Sequence, residues 1–312
     1  MIESESPRRE VPSLVSLCVD VVAKNFRLLS TTRPEEIHSL PHDLKHEIFV
    51  KLPEVVRLRD EDVLLLADSA MTEFSSGSSA QPGITDRSLK LAPFQQLQSL
   101  RLCGCYISAD GLEILFRQNP FLNKVTLSSI DIDNDDLIKV LPLLRNVTHL
   151  NLRALKFLDD NVIRVITSEL HSIRHLDVRF SRCITNAGVD LIASTYREQL
   201  EDLDLSFCRR VTDTSLLQLA KKCPNLRRLY IDANPHIASD SVVEVLVNCV
   251  SLIVLSLHDC ELIDDDLFNK LPASVQELAL EHLDLRGCFN LSPELVQERT
   301  HALMPHVRTF AV

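Results

Sequence analysis

Residues 200–224 read LEDLDLSFCRRVTDTSLLQLAKKCP, and their spacing decides the fold. Leu200, Leu203, Leu205, Cys208 and Val211 form an LxxLxLxxCxxV pattern that ends on Thr212 and Asp213. The same grammar recurs to the C-terminus, opening at Leu97, Leu122, Val147, Ile173, Leu200, Leu226, Leu252, Leu280 and Val307. Successive openings lie 25, 25, 26, 27, 26, 26, 28 and 27 residues apart. Self-similarity at a period of about 20–29 residues marks coils stacked into a solenoid.

Each unit has a physical reason. In Leu203-Asp204-Leu205 the two-residue alternation puts both leucines on one face of a short strand and Asp204 on the other. A helical pattern follows, as in Leu216, Leu219 and Ala220, after a turn ending on a residue able to cap a helix. Those residues are Ser108, Asp133, Asp159, Thr185, Thr212, Asp264 and Ser292, while Ala238 and Ser239 make the sixth unit slip. The ninth motif position carries Cys105, Cys208, Asn234, Cys260 and Cys288, with Ser181 as a small polar substitute. A thiol or amide there can meet backbone groups left unpaired where the strand turns. The expected fold is therefore an α/β leucine-rich-repeat solenoid of the cysteine-containing type. Parallel strands would line its concave face and helices its convex face, behind a short all-α N-terminal region.

Composition narrows the class of function. The net charge of −11 disfavours nucleic-acid binding, and no stretch reaches the roughly 18 apolar residues of a membrane span. Nine cysteines, most at repeat-core positions, with no secretory leader ahead of them, predict reduced thiols in the cytoplasm or nucleus. His42 and His46 stand four apart on a helix, yet the sequence between them is DLK rather than that of an ExxH site, and the lack of a third ligand favours a solvated face. No GxxxxGK, GxGxxG or GxSxG sequence occurs, so neither an enzyme nor a cofactor or metal is expected.

Ahead of the repeats the sequence predicts a disordered tail over 1–11, a helical adaptor-binding region over 12–74, a linker over 75–83 and the repeat domain over 84–312. The first helix places Leu14, Leu17, Cys18, Val21, Val22 and Leu28 or Leu29 at helical spacing after Pro12 and Ser13. The second lines Leu40, Leu44, Ile48, Phe49 and Leu52 on one face, and a third runs through EDVLLLADSAM. The segment ITDRSLKL looks like the second half of a repeat able to cap the open end.

Ser13, Leu14, Cys18 and Val22 match an SLxxxCxxxV pattern that resembles the elongin-binding box of cullin ubiquitin-ligase substrate receptors. The resemblance implies that Leu14 enters a pocket on elongin C and that Cys18 packs at the helix interface. Leu40, Pro41, Leu44 and Ile48, which begin 18 residues after Val22, resemble the companion cullin-selecting box, and the pair is similar to a von Hippel–Lindau-type box. The same LPHDLKHEIFVKLP also resembles the opening of an F-box, which binds Skp1 through an LP-led helix. The later Cys-Arg-Trp-like segment of an F-box has no counterpart in this Trp-free chain. The whole layout from about Pro12 to Val312 resembles the antagonist-of-mitotic-exit-network family, close to the F-box leucine-rich-repeat proteins.

On the concave face, alternation exposes Arg101, Thr126, Asn151, Asp177, Asp204, Tyr230, Ser256 and Asp284 between the core residues. Arginine and aromatic side chains are frequent binding hot spots. The expected target-binding patch is therefore Arg153, Arg179, Phe180, Phe207 and Tyr230, flanked by Asp204 and Asp232. The resemblance implies a non-catalytic substrate receptor of a cullin-RING E3 ubiquitin ligase. Its partners would be elongin C with elongin B and a cullin, or Skp1 and a cullin, and its target would be ubiquitinated and degraded. The alternative is a stand-alone binding or inhibitory scaffold whose N-terminal helices merely seal the solenoid.

Overall fold

The computed structural model describes residues 13–77, 83–272, 274–275, 278–304 and 307–311. The expected disordered tail over 1–11, and positions 78–82 of the expected linker, lie outside the described residues. Five helices open the chain: α1 (Leu14–Lys24), α2 (Phe26–Thr32), α3 (Pro34–His38), α4 (His42–Val55) and α5 (Asp60–Leu66). The coils then alternate strand and helix, beginning with β1 (Glu73–Ser75), α6 (Asp86–Leu91), β2 (Ser99–Cys103), α7 (Ala109–Gln118), β3 (Lys124–Ser128) and α8 (Asn134–Val140). They continue through β4 (His149–Asn151), α9 (Asp160–Glu169), β5 (His175–Asp177), α10 (Asn186–Tyr196), β6 (Asp202–Asp204) and α11 (Asp213–Lys222). The last are β7 (Arg228–Tyr230), α12 (Ser239–Asn248), β8 (Val254–Ser256), α13 (Asp266–Asn269), β9 (His282–Leu285), α14 (Pro293–Leu303) and β10 (Arg308–Ala311).

The ten strands form one parallel sheet in chain order, which is the solenoid that the spacing predicts. Register stacks the first core position of each coil: Leu100, Val125, Leu150, Leu176, Leu203, Leu229, Leu255 and Leu283. All eight are buried. Each such side chain is stabilised by about 1.5–3 kcal/mol through loss of contact with water, and only the neighbouring coils can supply that cover.

Polar side chains complete the stacking. The Sγ atoms of Cys208, Cys260 and Cys288 donate to the carbonyls of Val178, Ile231 and Leu257, one coil back, at 3.5, 3.2 and 3.1 Å. Asn234 does the same with its Nδ2, reaching the Leu205 carbonyl at 3.0 Å. Burial pushes the Cys208 and Cys260 thiols up to about 12, so both stay protonated donors. A second ladder, invisible to the repeat grammar alone, joins helix starts. The carboxylate of Asp160 accepts from the Thr185 N–H at 2.9 Å and the Thr185 hydroxyl at 2.5 Å. Asp213 accepts from Ala238 N and Ser241 Oγ, and Asp265 from Ser292 N and Oγ.

Several expectations shift at the N-terminal end. The first predicted helix breaks at Asn25, whose Nδ2 donates to the Val21 carbonyl at 2.8 Å, giving α1 and α2. The third ends at Leu66. A strand ahead of the half-repeat ITDRSLKL completes it: β1 pairs Glu73–Ser75 with Ser99–Arg101, so the sheet begins ahead of residue 84. A stack of Phe49, Phe74 and Phe94, with ring centres 5.4 and 5.0 Å apart, ties α4 to this first coil. The helices and the solenoid thus share one apolar core.

Replacing Asp160 by Ala removes two hydrogen bonds between coils and leaves the Thr185 N–H without its acceptor. Urea denaturation is expected to register a loss of about 1–3 kcal/mol. Asp110→Ala, on the exposed side of α7, should stay within about 0.5 kcal/mol.

Candidate functional site

The concave sheet face carries a groove of about 490 Å³ over β2 to β7. Arg179, Asp204 and Tyr230 of the expected patch line it, together with Asp177 and Asn151 from the same register column. Arg179 is the hub. Its Nη2 donates to Asp177 at 2.8 Å, and its Nε lies 3.1 Å from Asp204. Asn151 donates to Asp177 at 2.7 Å and extends the network across β4. Burial raises the Asp204 carboxyl to about 6, with the neighbouring Asp177 charge adding to the rise.

Arg153, Phe180 and Phe207 stand beside that network. The two rings stack with centres 4.4 Å apart, and the Arg153 guanidinium lies 5.3 Å from the Phe180 ring centre. Both phenylalanines adopt left-handed backbone, at φ 66° and 61°. The corresponding residues of other coils also have positive φ, and they include Gly104, Ser129, Ala154, Ala233 and Gly287. The turn therefore imposes this conformation on every coil, and small residues meet it most easily. A bulky aromatic there is strained by order 1–3 kcal/mol, which the surrounding hydrogen bonds must offset. Asp232 sits apart from this stack: its Oδ1 accepts from the Ser256 hydroxyl and from the His258 N–H, and burial raises its carboxyl.

Sequence reasoning missed the column that precedes the core leucines. Lys124, His149, His175 and Asp202 line the groove in register. The His149 and His175 rings stack at 3.8 Å, His175 Nδ1 meets Asp202, and Arg228 closes on the same carboxylate. Extending the alternation one residue toward the start of each strand identifies this column.

The adaptor candidates divide by burial. Ser13 caps α1 by accepting from Ser16 N at 3.1 Å. Leu14 is 78% exposed, Val21 60% and Leu28 62%, and Leu17 and Cys18 are exposed as well. Leu14, Leu17, Cys18 and Val21 share one stripe of α1 that faces solvent, Leu28 is exposed on α2, and Val19, Ala23 and the half-buried Val22 pack inward. On α4 the balance is reversed. Ile48 is only 2% exposed, Leu40 and Leu44 pack against the core, and Pro41 alone among those four is exposed. Ile48 is therefore a core residue and cannot touch a partner directly. His42 lies 3.2 Å from Asp68, and among the described residues no three His, Cys, Asp or Glu converge on a metal position.

Asp204 makes stability depend on pH. Its folded carboxyl binds a proton more tightly than the ordinary value of 3.8, so stability is present at low pH and falls as pH rises through about 4 to 6. Asp204→Asn removes that slope. Relative to the parent, the variant should gain on the order of 3 kcal/mol between pH 4 and pH 7 in urea denaturation, and its pH profile should flatten.

No family model matches the chain. Among curated proteins it is similar to F-box/LRR-repeat protein 4 of Bos taurus, 24% identical over 195 residues, or 53% of this chain and 31% of the relative. The F-box protein SKIP1 of Arabidopsis thaliana is 28% identical over 153 residues, 43% of this chain and 49% of the relative. The putative F-box/LRR-repeat protein 23 of Arabidopsis thaliana is 33% identical over 116 residues, 36% of this chain and 25% of the relative. The chain spans between a quarter and half the length of these relatives. Among solved structures it resembles a chain in a crystal structure of the Rad7 and Elc1 complex in yeast, with 15% identity and a TM-score of 0.47, covering 97% of this chain and 99% of that one.

Proposed function

We propose that this chain is a non-catalytic substrate-recognition subunit of a cullin-RING ubiquitin ligase. In this reading α1 docks on an adaptor and the concave groove holds the target for ubiquitin transfer by other subunits. The observation that carries the reading is the α1 stripe of Leu14, Leu17, Cys18 and Val21, left facing solvent beside a well-packed core. Contiguous exposed apolar surface marks a contact site for another molecule. A helix that merely sealed the solenoid would turn this stripe inward, which disfavours the stand-alone scaffold. The similarity to F-box/LRR-repeat proteins supports a receptor of this class.

The exposed residues favour an elongin C contact at Leu14 and Cys18, with elongin B and a cullin completing the assembly. Skp1 is the other adaptor compatible with the LP-led α4, although that helix spends Ile48, Phe49 and Leu52 on the internal core. Work at the groove is positioning: Arg179, Phe180, Phe207, Tyr230 and their acidic neighbours would orient the target without bond chemistry. The chain would act in the cytoplasm or nucleus, where these ligases operate.

Pull-down from purified components separates the adaptors. Leu14→Ala with Cys18→Ala should lower elongin C capture by about tenfold or more, with thermal stability kept because both side chains face solvent. Unchanged capture would end the elongin assignment. Loss of Skp1 capture on Leu40→Ala with Pro41→Ala, and no elongin C capture by the parent, would transfer the role to α4.

A further inference from the structure

The two ends of the concave groove differ in how their charges are satisfied. Toward the C-terminal coils, every groove arginine has a carboxylate: Arg179 meets Asp177 and Asp204, and Arg228 meets Asp202. Arg286, further along, holds Asp284 at 2.6 Å. Toward the N-terminal coils the pattern stops. Arg101 on β2, Lys124 on β3 and Arg153 just after β4 are exposed and form no ion pair among the described residues.

Register brings the three together. Arg101 lies level with Thr126 and Asn151, Lys124 sits two residues below Thr126, and Arg153 sits two above Asn151. They therefore sit on three adjacent strands of the same face at staggered heights, Lys124 lowest and Arg153 highest. Arg101 and Arg153 both draw down the Cys103 thiol that burial raises, and Lys124 adds to the burial that lowers His149. By register Glu73 stands one strand from Arg101 and Asp177 one strand from Arg153; neither forms an ion pair with these cations among the described residues, and Asp177 pairs with Arg179 instead. Ser99 and Thr126 line the same end and supply hydroxyl donors.

Three like charges held unpaired on one face repel one another, in a chain whose net charge is −11. An anionic ligand would relieve that repulsion. Asp177, Asp202 and Asp204, filling the other half of the groove, would at the same time reject an acidic group placed there. The groove is thus polarised along the solenoid.

We propose that the N-terminal half of the concave face, at Arg101, Lys124 and Arg153, binds an acidic peptide segment of the target. The segment lies across the strands with its carboxylate or phosphate groups over β2 to β4 and with neutral or basic residues over β5 to β7. Arg153 joins this basic end to the Phe180–Phe207 stack, so a side chain next to the acidic group can rest on the rings. The inference rests on the receptor reading for the biological role of the target, while the peptide site itself stands on the groove alone.

Fluorescence anisotropy of the full chain at 50 mM salt tests it, with fluorescein-labelled octaglutamate, octalysine and an octaglutamate carrying two phosphoserines as probes. Octaglutamate should bind and octalysine should not, against the sign of the net charge. Arg101→Glu, Lys124→Glu and Arg153→Glu together should weaken binding by about tenfold or more. The same charge change on convex helices, Arg117→Glu, Lys139→Glu and Arg164→Glu, should leave most of it. A neutral set, Arg101→Gln, Lys124→Gln and Arg153→Gln, provides a second variant should the reversed charges disturb folding. Phosphoserine binding about tenfold tighter than octaglutamate assigns the anion as phosphate; equal binding assigns it as carboxylate. Octaglutamate that binds no better than octalysine, or equally well to both groove variants, overturns the proposal. Adaptor capture by the groove variants should match the parent, so a failure here is distinct from a failure of the α1 contact.

Discussion

A single coil of this protein cannot hide its own leucines. Leu203 leaves water only because Leu176 and Leu229 occupy the same register on either side. Everything else follows from that mutual cover. Once the core positions must coincide, the strands have to be parallel and equally phased, and the residues between them fall into columns. The thiol and Asn234 bonds to the preceding coil, and the aspartate bonds between helix starts, tighten a spacing that burial has already set. Such side-chain bonds each contribute about 0.5–1.5 kcal/mol, less than the burial of one leucine, so they define register more than they hold the stack together.

The rigid face that results can hold charges that a looser fold would let drift apart or neutralise. Asp204 keeps a raised carboxyl beside Asp177 because the backbone leaves it no other place. Phe180 and Phe207 keep a left-handed conformation that a free loop would abandon. At the open end the same logic yields the opposite outcome. There α4 and the first coil meet through Phe49, Phe74 and Phe94, and the apolar stripe of α1 faces solvent with nothing among the described residues to cover it.

The sequence discloses unevenly what the structure contains. Period and core positions were readable because burial repeats them nine times, and the middle strand column followed from alternation. Residues 73–75 escaped notice as a strand, since three residues with one buried phenylalanine carry too little pattern to separate strand from loop. The column holding His149, His175 and Asp202 was passed over because it precedes the leucines that define the motif. Helical spacing revealed that α1 has an apolar stripe, but spacing cannot say which way a stripe faces. Ile48 illustrates the converse: its motif position suggested a partner contact, and packing made it core. The strain at Phe180 and Phe207 is a property of φ, which residue types alone do not report.

If α1 docks on an adaptor as proposed, the stacked coils should remain a fixed frame while it is engaged. Hydrogen–deuterium exchange of the full chain, with and without purified elongin C or Skp1, measures both halves at once. New protection is expected along residues 14–28 with one adaptor, and unchanged exchange along β2 to β9. Protection confined to the concave strands, or none in residues 14–28 with either adaptor, would contradict it.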